Sequence, residues 1–101
     1  MAKKSVVLRN QKRQKLVARY SGRRDALKKI VSSPTASFEE KFEASQKLTK
    51  LPKNSAPGRV RNRCQVTGRG RGVYRKLMIS RIVLREMAHN GLSPGMMKAS
   101  W

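Results

Sequence analysis

The sequence predicts a mainly α-helical protein with long irregular basic extensions. We expect two to three helices, a degenerate zinc-ribbon-like loop, a short C-terminal helix and little independent hydrophobic core. The chain has 101 residues, of which 38% are hydrophobic and 30% are charged, so it forms one small domain at most. Its 25 lysines and arginines stand against five acidic residues, which gives a net charge of +20. A chain so short and so basic has little apolar surface to bury.

The positive charge itself opposes compact folding. A sphere of roughly 16 Å radius with the net charge of +20 repels itself by ~50 kcal/mol in water, and physiological salt leaves ~15 to 20 kcal/mol of this. Ordinary domains are stable by only about 5 to 15 kcal/mol. We therefore expect a polyanion to complete the fold, and a nucleic acid suits positive charge that is spread along a whole chain.

The charge is divided into two basic regions around a nearly neutral spacer. Residues 1–31 contain eleven basic residues and one acidic residue, and residues 58–101 contain ten basic residues and one acidic residue. Residues 32–57 contain four basic and three acidic residues. We predict a single domain, 1–101, with a basic helical arm at 1–31, a near-neutral helical spacer at 32–52 and a basic C-terminal module at 53–101.

Apolar residues at helical spacing predict a first helix before Pro34. They are Leu16, Tyr20, Leu27 and Val31. The run Arg9–Lys15 has no apolar residue to bury, and its like charges destabilise an isolated helix. We expect this run to become ordered only against phosphate groups.

A second helix is predicted to begin at Ser37 and to end before Pro52. Ser37 and Glu40 have the spacing of a capping box, in which each side chain accepts a hydrogen bond from the other residue's backbone. Phe38 and Phe42 lie one turn apart on this helix. They would suit stacking on bases, but their place in the least basic segment favours contact with another protein.

The region beyond Pro52 is predicted to be extended and then rich in glycine. Arg59, Arg61 and Arg63 alternate, which would place three guanidinium groups along one side of an extended backbone. The run Gly68–Gly72 alternates glycine with arginine, which combines tight turns with bidentate phosphate contacts. A flexible linker is the plainer interpretation, but the arginine content favours phosphate contact.

Ser80 is predicted to cap a last short helix over residues 81 to about 90. Arg81, Arg85 and His89 follow one another at intervals of four, so they lie on one face of that helix. The helix is therefore amphipathic, with one basic side.

Four residues of this region have the spacing of a zinc site but not its chemistry. Cys64 and Thr67 have CxxC spacing, and Ser80 and Val83 repeat it, with twelve residues between Thr67 and Ser80. Threonine, serine and valine cannot complete a tetrahedral thiolate site, so we regard these four as lost ligand positions and expect no metal. Cys64 is then expected to be a buried or half-buried thiol.

Enzyme activity, a cofactor, membrane insertion and export are not expected. The one histidine, His89, has only Glu86 as a nearby acid on its helix, and the glycines do not have nucleotide-binding spacing. The longest apolar runs have three residues, against roughly 18 in a membrane span. The first 24 residues, which lack acids, would suit a mitochondrial transit peptide, but the basic composition continues along the chain and favours a mature arm. The single cysteine indicates a reducing compartment.

Four motifs in the second half of the chain carry a family resemblance. They are Leu51-Pro52-Lys53-Asn54-Ser55, Arg61-Asn62-Arg63-Cys64 with Thr67-Gly68-Arg69, Ile79-Ser80-Arg81 through Arg85-Glu86, and Pro94-Gly95 with Lys98-Ala99-Ser100-Trp101. In combination they resemble the bacterial and organellar S-fourteen family of small-subunit ribosomal proteins, in its longer zinc-free form. Gly70 stands where that family usually has proline, and Leu77-Met78 where it has phenylalanine-glycine.

The resemblance implies a structural role in translation. Such a protein binds 16S ribosomal RNA in the head of the small subunit, contacts the third and tenth small-subunit proteins and lies near the nineteenth. It is needed for subunit assembly and for RNA conformation near the aminoacyl site. A cytoplasmic ribosome of a bacterium is implied, or an organellar one, with no membrane contact and no homo-oligomer.

The basic residues and the terminal tryptophan are the expected RNA-binding residues. They are Lys3, Lys4, Arg9, Lys12, Arg13, Arg59, Arg61, Arg63, Arg69, Arg71, Arg75, Lys76, Arg81, Arg85, Lys98 and Trp101. Trp101 would stack on a base or pack against its own protein. Composition leaves two other classes open: a DNA-binding architectural protein, although no helix-turn-helix is recognisable, and a membrane-active cationic peptide, which the prolines and weak apolar faces oppose.

Overall fold

A computed structural model describes residues 1–97 and 99 of the chain. This part of the chain contains three α-helices and a small antiparallel sheet, so the predicted mainly helical class is confirmed. The elements in chain order are α1 (Lys4–Ser32), α2 (Phe38–Lys50), two short 3₁₀ helices (Lys53–Ser55 and Pro57–Arg59), β1 (Val73–Tyr74), β2 (Ile79–Ser80) and α3 (Arg81–His89).

Helix α1 is longer than the sequence predicts. It includes the basic run Arg9–Lys15, which the charge pattern predicts to be ordered only against phosphates. An irregular basic extension is not confirmed here, because lysine, arginine, glutamine and leucine are strong helix formers and the first proline is Pro34. All basic side chains of α1 except Arg13 and Arg24 are exposed. Each like-charge pair in solvent then costs only tenths of a kcal/mol.

The ends of α2 follow the sequence. The Ser37 hydroxyl accepts a hydrogen bond from the Glu40 amide at 3.3 Å, and the Glu40 carboxylate accepts one from the Ser37 amide at 3.4 Å. The predicted capping box is thus confirmed. At the other end Leu51 has an extended backbone, as a residue before proline must, and α2 ends at Lys50.

Contacts within the chain form two compact units. Unit 1 contains residues 1–8 and the described residues from 61 onward, and unit 2 contains Arg9–Val60. In unit 2, Arg24 of α1 donates two hydrogen bonds to the Ser55 hydroxyl, at 3.0 and 2.8 Å, and one to the Pro52 carbonyl at 3.1 Å. Ser55 is fully buried. A guanidinium group therefore joins α1 to the turn that follows α2.

Unit 1 contains a β-hairpin that the sequence does not predict. Val73 pairs with Ser80, and Tyr74 pairs with Ile79. In the connecting turn, Met78 has a φ of +55° and its amide donates to the Tyr74 carbonyl at 2.7 Å. Two-residue strands are shorter than the alternating runs by which a strand is detected, and methionine is not a usual left-handed turn residue.

The amino terminus is held within unit 1. The Ala2 amide donates to the Thr67 carbonyl at 3.1 Å. Gly68 has a φ of +77°, and a Cβ atom there would lie 2.8 Å from Cγ2 of Val7. Only glycine combines this backbone conformation with so close an approach.

Few apolar residues are buried in the described part of the chain. They are Ala44 in unit 2 and Cys64 and Val83 in unit 1. Larger apolar side chains lie in solvent, among them Phe38, which is 82% exposed, and Leu92, which is 67% exposed. The described residues thus have little apolar core, as the sequence predicts.

Candidate nucleic-acid interface

The loop of residues 61–72 is shaped by its own arginines. Arg61 Nε donates to the Gly70 carbonyl at 2.8 Å, and Arg63 Nη1 donates to the Gly68 carbonyl at 2.9 Å. These bonds to a charged donor hold a segment that has neither helix nor strand. A guanidinium group has five N–H donors, so an arginine bound at one edge can present another edge to a phosphate.

The predicted row of three arginines along an extended backbone does not form. Arg59 ends a 3₁₀ helix and belongs to unit 2, whereas Arg61 and Arg63 belong to unit 1. The prolines of this region favour short turns, because each fixes its own φ near −65°. Arg59 itself is exposed.

Basic side chains continue from the loop into the hairpin of unit 1. Arg69 is half-buried, and its Nε donates to the carbonyl of Arg71 at 3.0 Å. Arg71 is exposed, as are Arg75 and Lys76 in the turn between β1 and β2. The hairpin therefore presents a concentrated positive charge to solvent.

Helix α3 adds the basic face that the sequence predicts. The Ser80 hydroxyl accepts a hydrogen bond from the Val83 amide at 3.3 Å, which confirms Ser80 as the cap. Arg81, Arg85 and His89 are exposed on successive turns. Ser80 is only 1% exposed, so the start of this helix is rigidly placed.

The basic residues of the amino-terminal arm are divided between the two units. Lys3 and Lys4 belong to unit 1, and Arg9, Lys12 and Arg13 belong to unit 2. All are exposed except Arg13, whose Nε is buried without a hydrogen-bond partner. The predicted contacts of Lys98 and Trp101 lie outside the described residues.

The four lost ligand positions belong to unit 1, where Thr67 and Ser80 form hydrogen bonds with the sulfur of Cys64. Burial raises the pKa of this thiol, but hydrogen bonds from the Thr67 hydroxyl and from the amides of Thr67, Ser80 and Val66 lower the pKa to about 6. The Thr67 amide is 3.5 Å from Sγ. The hydroxyl of Ser80 in turn holds the amide of Val83. Hydrogen bonds thus organise a cluster whose side chains do not fit structural zinc.

The described residues provide neither a metal site nor a membrane-spanning helix. They contain no group of three or more histidine, cysteine, aspartate or glutamate side chains that could hold a metal ion. None of their helices is long and apolar enough to cross a membrane.

A groove beside the hairpin contains residues that the sequence analysis missed. It has a volume of about 320 Å³, and Tyr74, Met96 and Met97 line it together with Arg81 and Arg85. Tyr74 is 51% exposed. An available signal was the aromatic residue placed between basic residues in Arg71-Gly72-Val73-Tyr74-Arg75-Lys76.

Comparison with known proteins decides the family. A family model described as "Ribosomal protein S14p/S29e" matches residues 47–100. The chain is 56% identical to the small ribosomal subunit protein uS14 of Xanthomonas campestris pv. campestris (strain B100), and both chains are covered completely. The chain belongs to this family. The predicted resemblance to the S-fourteen family is confirmed.

Two further uS14 proteins support membership of the S14p/S29e family. Those of Pelagibacter ubique and Phenylobacterium zucineum are 59% and 54% identical to the chain over the full length of both partners. The match therefore extends to the amino-terminal half, beyond the motifs on which the resemblance depends. The family is one of ribosomal proteins, and the chain is not an enzyme.

Proposed function

We propose that the chain is a structural constituent of the small ribosomal subunit in translation. Family membership supports this role, and the observation that carries it is the basic surface of unit 1, where arginines both shape a loop and present their charge to solvent. The proposed ligand is 16S ribosomal RNA in the head of the subunit. The protein would be needed for assembly and for RNA conformation near the aminoacyl site.

The mechanism is electrostatic bridging of RNA segments. Each basic side chain replaces counterions on a phosphate and reduces the repulsion between neighbouring RNA helices. The proposed contacts are those of the basic arm 1–31 and the module 53–101, which together with the spacer 32–52 act as one domain. They comprise Lys3, Lys4, Arg9, Lys12, Arg13, Arg59, Arg61, Arg63, Arg69, Arg71, Arg75, Lys76, Arg81, Arg85, Lys98 and Trp101.

The salt dependence of binding tests this mechanism. For ~8 phosphate contacts with a fragment of small-subunit ribosomal RNA, the log-log slope of affinity against salt is near −6 or steeper. A slope near −1 contradicts bridging. Duplex DNA is the competitor that tests the architectural DNA-binding alternative. We expect structured ribosomal RNA to be preferred, and equal competition by DNA would reject the ribosomal role.

The protein partners are proposed to bind the exposed face of α2. Phe38 and Phe42 are 82% and 56% exposed, and the centroids of their stacked rings are 6.4 Å apart. Glu39, Glu40 and Glu43 lie in the same two turns of α2, and these carboxylates would repel phosphates. We assign this face to a neighbouring small-subunit protein with a basic and apolar surface. The third and tenth proteins are the candidates, with the nineteenth nearby.

Cross-linking in reconstituted subunits tests the α2 face. Lys41 is three residues after Phe38 and next to Phe42 in α2, so its cross-links should join the chain to the third or tenth protein. The double variant Phe38→Ser and Phe42→Ser should lose these cross-links, whereas Leu92→Ser, at an exposed residue of unit 1, should keep them. Cross-links from Lys41 to RNA alone would contradict the assignment.

The Cys64 cluster is proposed to be a degenerate zinc-ribbon-like loop that needs no metal. Hydrogen bonds to the sulfur and the buried Ser80 would hold its shape. Elemental analysis of purified protein should find no stoichiometric zinc. One zinc per chain would overturn this part of the proposal. The proposed location is the cytoplasmic ribosome of a bacterium, with no homo-oligomer.

A further inference from the structure

We propose that the groove beside the hairpin binds one unpaired nucleotide of ribosomal RNA, with its base stacked on Tyr74. The inference rests on the proposed RNA binding and specifies the kind of RNA element that this surface selects. Every residue that it uses belongs to unit 1. The groove is lined by Tyr74, Leu84, Met96 and Met97 on its apolar side and by Arg81 and Arg85 on its basic side.

The size and the apolar wall of the groove suit a single base. Its volume of about 320 Å³ is at the lower end of the roughly 300 to 1,000 Å³ of ligand pockets, a size that suits a small ligand such as one base. Tyr74 is anchored by its backbone in β1 while its ring remains half-exposed. An aromatic ring in this state offers a platform for a base that has left its helix.

The basic side of the groove is positioned for the phosphate of the same nucleotide. Arg81 and Arg85 are separated by one turn of α3, so both reach the same rim. The backbone amide of Arg81 donates to the Gly72 carbonyl at 2.8 Å, and its side chain lies against Gly72. This contact holds the guanidinium stem at the groove.

A protein partner is less well matched to this groove than RNA. None of the described residues that line it is acidic, and the adjoining turn adds Arg75 and Lys76. A nucleotide presents a base to the aromatic ring and the apolar wall, and a phosphate to the basic rim of Arg81 and Arg85. A site for phosphate alone would leave Tyr74 and the methionines without a role.

Variants of Tyr74 test the inference against ribosomal RNA fragments. Tyr74→Ala should lower affinity roughly 5- to 150-fold, which is the usual effect of losing one base stack. The salt slope should not change, because no charge is removed. Tyr74→Phe should bind within about twofold of the wild type, since it keeps the stacking ring. Leu77→Ala is the matched control, because Leu77 is 48% exposed in the same hairpin and does not line the groove.

The outcomes separate this inference from the proposed function. If Tyr74→Ala binds like the wild type while the salt slope stays steep, the groove has no nucleotide and the RNA-binding role stands. The same holds if Leu77→Ala is as damaging as Tyr74→Ala. A shallow slope for the wild type rejects the RNA-binding role itself.

Photocross-linking gives an independent measurement. With 4-thiouridine placed in turn at unpaired and at base-paired positions of the RNA, the peptide that contains Tyr74 should cross-link to an unpaired position. Cross-links to that peptide only from base-paired positions would overturn the assignment to an unpaired nucleotide.

Discussion

Replacing the capping serine of α3 by alanine should destabilise unit 1 far more than the equivalent change destabilises unit 2. Ser80→Ala and Ser37→Ala remove the same interaction. In each, a serine hydroxyl accepts a hydrogen bond from the amide three residues later, at 3.3 Å. The two serines differ in burial, since Ser80 is 1% exposed and Ser37 lies in solvent.

The burial of the cap sets the expected magnitude. Loss of an N-terminal cap costs about 1 kcal/mol, with a range of roughly 0.5 to 2. At Ser37 water replaces the lost acceptor, so we expect about 0.5 to 1 kcal/mol. At Ser80 water cannot reach the Val83 amide, and an unsatisfied buried donor adds about 1 to 3 kcal/mol. The expected total for Ser80→Ala is about 2 to 4 kcal/mol.

Amide hydrogen exchange of the full chain is the suitable assay, because it reports each helix separately. About 0.5 M salt would screen the self-repulsion of the chain. Ser80→Ala should accelerate exchange in α3 roughly 30- to 900-fold, and Ser37→Ala should accelerate exchange in α2 roughly 2- to 5-fold, from the free energies above. Since the serines lie in different units, each variant is the control for the other. Equal effects of the two variants would refute burial as the cause.

Three further predictions follow from unit 1. The pKa of the Cys64 thiol in the folded protein, about 6, is below its ordinary value of 9.0. The ionised thiol therefore contributes its full stabilisation above pH 9, and this stabilisation is lost as the pH falls towards 6. Cys64→Ser should remove this dependence of the free energy of unfolding on pH. Met78→Gly should raise the free energy of unfolding by about 1 kcal/mol, because Met78 has a φ of +55°, which is unfavourable for a residue with a Cβ atom. An unchanged denaturant midpoint would show that Met78 is not strained. Gly68→Ala should destabilise the chain by more than 1 kcal/mol through its contact with Val7, whereas Gly58→Ala, with open space around it, should be nearly neutral in the same denaturation assay.

The amino-acid sequence determined the features that depend on near neighbours. The caps at Ser37 and Ser80 and the end of α2 before Pro52 could be read directly, because each involves residues within one helical turn. The division of charge along the chain and the prediction of a polyanionic partner depended on composition alone. The length of α1 was underestimated, because exposed like charges weaken a helix less than the expectation for Arg9–Lys15 assumed.

Only the tertiary structure decided the features that join distant residues. Arg24 and Ser55 are 31 positions apart and meet only through the packing of unit 2. In unit 1, the amides that lower the pKa of Cys64 and the groove around Tyr74 likewise depend on the hairpin bringing separate segments together. Local propensity does not predict such contacts, because they form only when folding brings residues that are distant in sequence together.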